Sequence, residues 1–209
     1  MPRIAEQTRL ARREQIAAAA LACFGRSGYH TTTMADVAAQ AGVSKGTPYL
    51  YFPSKEALFM ALLEEWGCGV AARVDRAVSD LGQAARRSPR SMLRAVAAAL
   101  ATHAVENPLA CRVLMEGWTL AANEPAIAAT VLADQDRSIE QLGGLIAAGV
   151  AAGEWEPDTD PALAARLFIA GLYGLMAQWH LAPGSFSLPE AAVALAAAGE
   201  SARNGERVS

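Results

Sequence analysis

Four side chains between residues 45 and 51 could bond to phosphates and to base edges. They are one lysine and three hydroxyl-bearing residues: Lys45, Thr47, Tyr49 and Tyr51. An ammonium group pairs with phosphate or with guanine O6 and N7, and a hydroxyl bonds to either kind of partner. Gly46 lacks a side chain, so the backbone there can approach another surface closely. The combination is unusual for a buried helix and indicates a surface that contacts nucleic acid.

The flanking residues predict a helix-turn-helix that would hold this group in place. A short helix over residues 34–41 has one apolar face with helical spacing, made by Met34, Val37, Ala38 and Ala41. Thr32 or Thr33 can cap its start, and Gly42 can end it in a left-handed conformation. Ser44 can then cap a second helix over residues 45–50, which follows a tight turn.

Residues 31–58 read TTTMADVAAQAGVSKGTPYLYFPSKEAL and resemble the DNA-binding signature of the TetR family of bacterial transcriptional regulators. The similarity covers about residues 9–60, with A-G-V-S, K-G-T, Y-x-Y-F and S-K-E-A-L in the family order and spacing. Pro48 departs from the pattern, because an aliphatic residue is commoner there in the family. A proline inside a helix forfeits one hydrogen bond, so the second helix can start a residue later than expected.

The resemblance and the residue types together give an expected DNA-binding set. It consists of Thr33, Ser44, Lys45, Gly46, Thr47, Tyr49, Tyr51 and Lys55. The N-terminal residues of a recognition helix meet base edges, so Lys45 and Thr47 are expected to read sequence. Thr33, Tyr49, Tyr51 and Lys55 are expected to clamp phosphates. Residues 1–8 are expected to form a flexible arm with Arg3, Arg9, Arg12 and Arg13 at its base, and this arm could either reach DNA or remain solvated.

Charge is divided unevenly along the 209 residues. Residues 1–60 carry seven Arg and Lys against four Asp and Glu, a net charge of +3, and the remainder carries a net charge of −6. This division of charge fits a basic DNA-binding head on an acidic regulatory body, although +3 over sixty residues is also ordinary scatter; with the resemblance, it predicts two domains. The first is a helix-turn-helix DNA-binding domain over residues 1–55, with its motif at about residues 34–52. The second, over residues 56–209, is a helical domain that binds an effector and dimerises.

Proline and glycine divide the rest of the chain into helices, so the predicted fold class is all-α with about nine helices. A first helix is expected from Thr8 to about residue 27, and a long helix follows the cap Ser54. Further helices are predicted at residues 90–106, 108–121, 125–152, 161–181 and 189–199, each with proline near its first turn. Residues 200–209 are polar and are expected to fray.

The helix over residues 161–181 is the expected dimer helix, because it is apolar on two sides and both must be covered. The resemblance implies a four-helix bundle made by the last two helices of each subunit. The expected interface comprises Phe168, Ala170, Gly171, Gly174, Ala177 and Leu195. The alternative is that both faces are covered within one protomer.

An effector pocket is expected among large or soft side chains of the second domain. The candidates are Trp66, Met92, His103, Met115, Trp118, Tyr173 and Met176. An apolar cavity with a few polar groups is typical of small-molecule sites, although each candidate could equally be a core residue.

Other classes of protein find little support in the sequence. Cys23, Cys68 and Cys111 are widely spaced, which favours a reduced, cytoplasmic protein. No metal-ligand spacing and no catalytic motif is present, so we expect no metal, no cofactor and no enzyme. The sequence contains no run of 18 apolar residues without a charge, so it predicts no membrane span. The leading interpretation is a ligand-released repressor that binds a palindromic operator as a homodimer. The alternatives are an activator with the same head and a helical protein-interaction module.

Overall fold

A computed structural model of the chain describes residues 2–198, and the side chains of residues 6–198. This range is all-helical and contains no strand, which confirms the predicted fold class. The α-helices are α1 (Pro2–Ser27), α2 (Met34–Gln40), α3 (Lys55–Ser79), α4 (Gln83–Arg86), α5 (Pro89–Glu106), α6 (Pro108–Leu120), α7 (Pro125–Ala151), α8 (Pro161–Leu181) and α9 (Leu188–Ala197), with one 3₁₀ helix at Thr47–Leu50. The predicted fraying at residues 200–209 lies outside the described residues.

Local capping explains several of these helix starts. Asp160 Oδ1 accepts hydrogen bonds from the N–H groups of Ala162 and Leu163 at 2.9 and 3.1 Å. Ser88 Oγ likewise accepts the Ser91 N–H at 3.2 Å. Each cap precedes a proline in the first turn, where a missing N–H costs little because it would have no helical partner.

Two elements differ from the sequence prediction. α1 begins at Pro2, so residues 2–8 are helical and the expected flexible arm is wrong for them. Good helix formers follow Pro2, and proline is well tolerated at a helix start. The short α4 was not predicted either; its start, at Gly82, has no side-chain cap that a sequence pattern could reveal.

The chain divides into two compact units, which we call the head unit and the body unit. The head unit contains Met1–Gly67 and Pro108–Val131, and the body unit contains Cys68–Asn107 and Leu132–Ser209. α6 therefore belongs with the helix-turn-helix segment, although it follows α5 in sequence. The predicted boundary after residue 55 follows the sequence motif and not this division.

The head unit is built around α1. Ile16, Ala20 and Phe24 on α1 are buried, as are Val37 on α2 and Leu58 and Phe59 on α3. The Phe24 and Phe59 rings pack edge-on with centroids 5.5 Å apart. A Cβ on Gly25 would lie 2.8 Å from the Cβ of Leu109, so glycine permits the close approach of α1 and α6.

In the body unit, α5 packs against α8 and α9. The loop after α7 is bonded to the start of α5. Glu154 Oε2 accepts the Arg90 N–H at 2.8 Å and the Ser88 hydroxyl at 3.2 Å. The Arg90 guanidinium lies over the Trp155 ring, 5.0 Å from its centroid. That ring in turn lies so close to Gly149 that a Cβ there would overlap it.

α8 is long and apolar enough to cross a membrane if length and composition alone are considered. The core helix of a water-soluble protein passes the same test, so this is weak evidence for a span.

We predict that Gly149→Ala lowers the free energy of unfolding by about 1–3 kcal/mol, because the added methyl overlaps the Trp155 ring. Gly144→Ala is the matched control on the same helix. A Cβ at Gly144 meets nothing within 4 Å, so alanine there should stabilise the protein by up to about 1 kcal/mol. Urea unfolding of both variants checks this, and equal stabilities would contradict the packing observed here.

Candidate nucleic-acid interface

Thr33 caps α2 through a reciprocal pair of hydrogen bonds with Asp36. The Thr33 hydroxyl accepts the Asp36 N–H at 3.2 Å, and Asp36 Oδ2 accepts the Thr33 N–H at 2.9 Å. The Thr33 hydroxyl, and then its N–H, hold the pKa of Asp36 below its usual value. Thr32, the other candidate cap, is buried and donates to the Gly28 carbonyl at 2.8 Å. Thr33 is exposed at the start of α2, but its hydroxyl donates its one proton to Asp36 Oδ2 at 2.6 Å and has none left for a phosphate.

The turn after α2 has the predicted geometry. Gly42 has φ +66°, and its N–H donates to the Ala39 carbonyl at 3.1 Å. The Val43 N–H donates to the Ala38 carbonyl at 3.0 Å. These two bonds form the motif that ends a helix at a left-handed glycine.

The second helix of the motif differs from the prediction. It is a single 3₁₀ helix, Thr47–Leu50, and not an α-helix capped by Ser44. Pro48 explains the difference, because it has no N–H to donate and its ring would clash with the Ser44 carbonyl in an α-helix. The Ser44 hydroxyl instead lies 2.7 Å from the Thr47 hydroxyl, and the Ser44 carbonyl accepts the Thr47 N–H at 2.9 Å.

This segment still presents most of the expected DNA-binding side chains to solvent. Lys45 and Gly46 are exposed, and a Cβ at Gly46 would meet nothing within 4 Å. Tyr49 is 55% exposed, whereas Thr47 and Tyr51 are half-buried. Ser44, Lys45, Gly46 and Tyr49 are therefore the candidates of this segment that are exposed.

Leu50 is a candidate that the sequence analysis missed. It is 75% exposed, although it is a large apolar residue. Its neighbours Pro48 and Phe52 are buried, and this alternation was readable from the sequence. An apolar side chain in this position can contact the methyl group of thymine.

The Lys55 side chain is bonded within the protein, whereas a phosphate clamp was expected to be free. Its Nζ donates to the Tyr29 carbonyl at 2.8 Å and to the Thr32 carbonyl at 3.1 Å. It also lies 4.3 Å from the centroid of the Tyr29 ring. Lys55 therefore fastens the corner between α1 and α2, and only one of its three donors is left for a phosphate.

The arginines that were expected at the base of a flexible arm lie on α1. Arg9 is exposed, and Arg12 donates to the Gln15 side chain at 2.9 Å. The Arg13 guanidinium lies 4.9 Å from the centroid of the Phe52 ring, just beyond the 3₁₀ helix. Arg13 thus adds positive charge beside the exposed segment. The side chain of Arg3 lies outside the described side chains.

The seven effector-pocket candidates are divided between the two units. Trp66, Met115 and Trp118 belong to the head unit, and Met92, His103, Tyr173 and Met176 to the body unit. Trp66 and Met176 are buried, and the other five are half-buried. His103 borders an open, polar depression of about 440 Å³ that also contains Arg73, Arg76 and Glu106. Burial, and then the charge of Arg73, lower the pKa of His103. These surroundings differ from the apolar pocket that we expected for His103.

The expected dimer residues divide between two faces of α8. Phe168 is buried, and Gly171 packs against Leu195 of the same chain, where a Cβ would lie 2.9 Å from the leucine side chain. Ala170, Gly174 and Ala177 are exposed. Three leucines missed by the sequence analysis continue the same exposed stripe: Leu163, Leu167 and Leu181, at 52%, 63% and 86% exposure. Together with Ala170, Gly174 and Ala177, these leucines are spaced alternately by four and three residues, which is the spacing of one helix face, and this was readable from the sequence.

Comparison with known proteins identifies the chain. Residues 16–62 match the bacterial regulatory proteins of the tetR family, and residues 89–200 match the C-terminal domain of BetI-type transcriptional repressors. The chain belongs to the TetR family. This confirms the resemblance, and the family is one of DNA-binding transcriptional regulators and not of enzymes.

Individual proteins are similar to this TetR-family chain in sequence or in fold. The transcriptional regulator RutR of Escherichia coli K12 is 46% identical over 55 residues, which are 26% of this chain and 26% of RutR. The chain thus matches about a quarter of the length of this curated relative. The structure of PfmR from Thermus thermophilus has a TM-score of 0.70 at 25% identity, covering 87% of this chain and 94% of PfmR. FadR of Bacillus subtilis, solved with stearoyl-CoA, has a TM-score of 0.74 at 20% identity, covering 88% of this chain and 95% of FadR.

We predict that Lys55→Met lowers the free energy of unfolding by about 1–3 kcal/mol, because the two carbonyls it serves lose a charged donor. Lys45→Met is the control, since Lys45 is exposed in the same motif. Thermal and urea unfolding of the full chain measure the difference. If both variants are as stable as the wild type, Lys55 does not fasten the corner.

Proposed function

We propose that this TetR-family regulator is a ligand-released repressor that binds a palindromic operator as a homodimer. The observation that carries the proposal is the exposed segment after the turn, where Lys45, Gly46 and Tyr49 face solvent from a firmly capped corner. Side chains held by a rigid scaffold can keep a fixed register on a duplex.

The chemistry of each group determines whether we propose that it contacts bases or phosphates. Lys45 donates to guanine, Thr47 offers its methyl or hydroxyl to a base, and Leu50 contacts a thymine methyl. Gly46 allows the backbone to come close to the groove, and Ser44 holds the Thr47 hydroxyl. Phosphates are bound by Tyr49, Tyr51 and the remaining donor of Lys55, whereas the Thr33 hydroxyl and N–H are both given to Asp36.

The exposed stripe on α8 supports a homodimer. Large apolar side chains are rarely left in a continuous row on a monomer surface. The small residues Ala170, Gly174 and Ala177 within the row let a second α8 approach closely, and a two-fold axis brings identical faces together. A dimer of this kind places one helix-turn-helix on each half of a palindrome.

The proposed effector is a small molecule bound by the C-terminal helices. The FadR structure of Bacillus subtilis contains stearoyl-CoA, which supports ligand binding by this fold. An effector releases DNA only if it binds the DNA-free state more tightly than the DNA-bound state. The proposed location is the cytoplasm, where the operator lies.

Gly46→Leu tests the DNA-binding role with the DNA upstream of the protein's own gene as the probe. We expect the wild type to shift this DNA in a gel, and the variant to bind at least about tenfold more weakly, because a side chain holds the backbone off the groove. Gly46 has φ −84° and space for a Cβ, so the variant should unfold like the wild type.

Gly82→Leu is the matched control for Gly46→Leu, since a Cβ there also meets nothing within 4 Å. It should bind DNA like the wild type. Equal binding by Gly46→Leu and the wild type would refute this assignment of the interface.

Gly174→Arg tests the dimer. Its Cβ meets nothing within 4 Å, so the protomer accommodates the change, but an arginine on the stripe must be desolvated or push two helices apart. We expect monomers in sedimentation velocity and loss of operator binding. Gly144→Arg, on the exposed side of α7, should remain dimeric. A dimeric Gly174→Arg would place the interface elsewhere.

A further inference from the structure

α6 contributes a side chain to the helix-turn-helix corner from far away in the sequence. Residues 89–200 match a C-terminal domain family, and α6 lies within that segment. It nevertheless packs on α1 in the head unit. Glu116 on α6 places its Oε1 2.7 Å from the backbone nitrogen of Tyr29, and the two residues are 87 positions apart.

This hydrogen bond holds the backbone where the chain leaves α1. Gly28 has φ +85°, and the Tyr29 N–H that follows it points to the Glu116 carboxylate. A Cβ on Gly28 would lie 3.2 Å from Glu116 Oε1, so the glycine also leaves room for the carboxylate. Tyr29 is buried, and a buried N–H without an acceptor is costly.

The carbonyl of Tyr29 is held as well, from α3. Lys55 Nζ donates to this carbonyl and to that of Thr32, and Thr33 then caps α2. Glu116 and Lys55 therefore fix the two peptide groups of Tyr29. The direction in which the chain enters α2, and with it the placement of the exposed segment relative to α1, depends on both contacts.

We propose that Glu116 is a positioning residue for operator recognition, which acts through the backbone of Tyr29 and touches no DNA itself. The inference depends on the DNA-binding function proposed above. Loss of the carboxylate lets the corner shift, so the base-reading residues lose their register. Sequence-independent binding is affected much less, because the electrostatic attraction to phosphates does not depend on register with the bases.

The test uses the full chain and two duplexes of equal length. One is the sequence that the wild type selects from randomised DNA, and the other is a scrambled version of it. Glu116→Ala should bind the selected duplex about tenfold or more weakly, with nearly unchanged binding to the scrambled one. Glu116→Gln keeps a side-chain oxygen acceptor and should restore most of the specificity. Amide exchange at Tyr29 should be faster in Glu116→Ala only.

Glu64→Ala is the charge control, because Glu64 is an exposed carboxylate on α3. A purely structural role for Glu116 would lower binding to both duplexes in proportion to the folded fraction, and this result would overturn the inference. Wild-type specificity in Glu116→Ala would overturn it too. If the wild type selects no preferred sequence, the proposed function itself fails, so the two failures are distinguishable.

Discussion

The helix-turn-helix depends on how the chain is held where α1 ends. A chain that leaves a helix loses the helical hydrogen bonds, so its buried N–H and carbonyl groups need partners from elsewhere. Here Glu116 accepts the N–H of Tyr29, and Lys55 serves its carbonyl. The Tyr29 ring packs on Phe59 with centroids 5.0 Å apart. The end of α1, α3 and α6 thus meet at one residue, and both charged partners bond to its backbone.

The segment after the turn, which contains the 3₁₀ helix Thr47–Leu50, is short and largely exposed. Pro48 prevents an α-helix from starting at Ser44, so the chain makes one 3₁₀ helix. Pro48 is buried and anchors the segment, while Tyr49 and Leu50 turn outward. A short, anchored segment needs no long recognition helix to present its side chains, and the capping box at Thr33 fixes the helix that precedes it.

α8 illustrates how a helix can serve two surfaces. Phe168 and Leu172 are buried within the protomer, and Gly171 permits contact with Leu195 on α9. The opposite face carries Leu167 and Gly174 in contact with solvent. Burying such a face in a second subunit removes apolar area from water at about 25 cal/mol per Å², which is the physical basis for the proposed homodimer.

The sequence by itself determined the structural features that depend only on residues close together in the chain. Thr33, Gly42 and Ser54 act on groups within a few positions, so the turn, the starts of α2 and α3 and the all-α pattern could be predicted, as could the family. The predicted Ser44 cap was wrong, because Pro48 prevents the α-helix that it would start. The tertiary structure decided contacts across long separations, such as the 26 positions from Tyr29 to Lys55 and the 87 from Tyr29 to Glu116. It also decided which face of α8 is covered and how the effector candidates divide between the units. No local pattern encodes these, because they arise only when separate helices pack together.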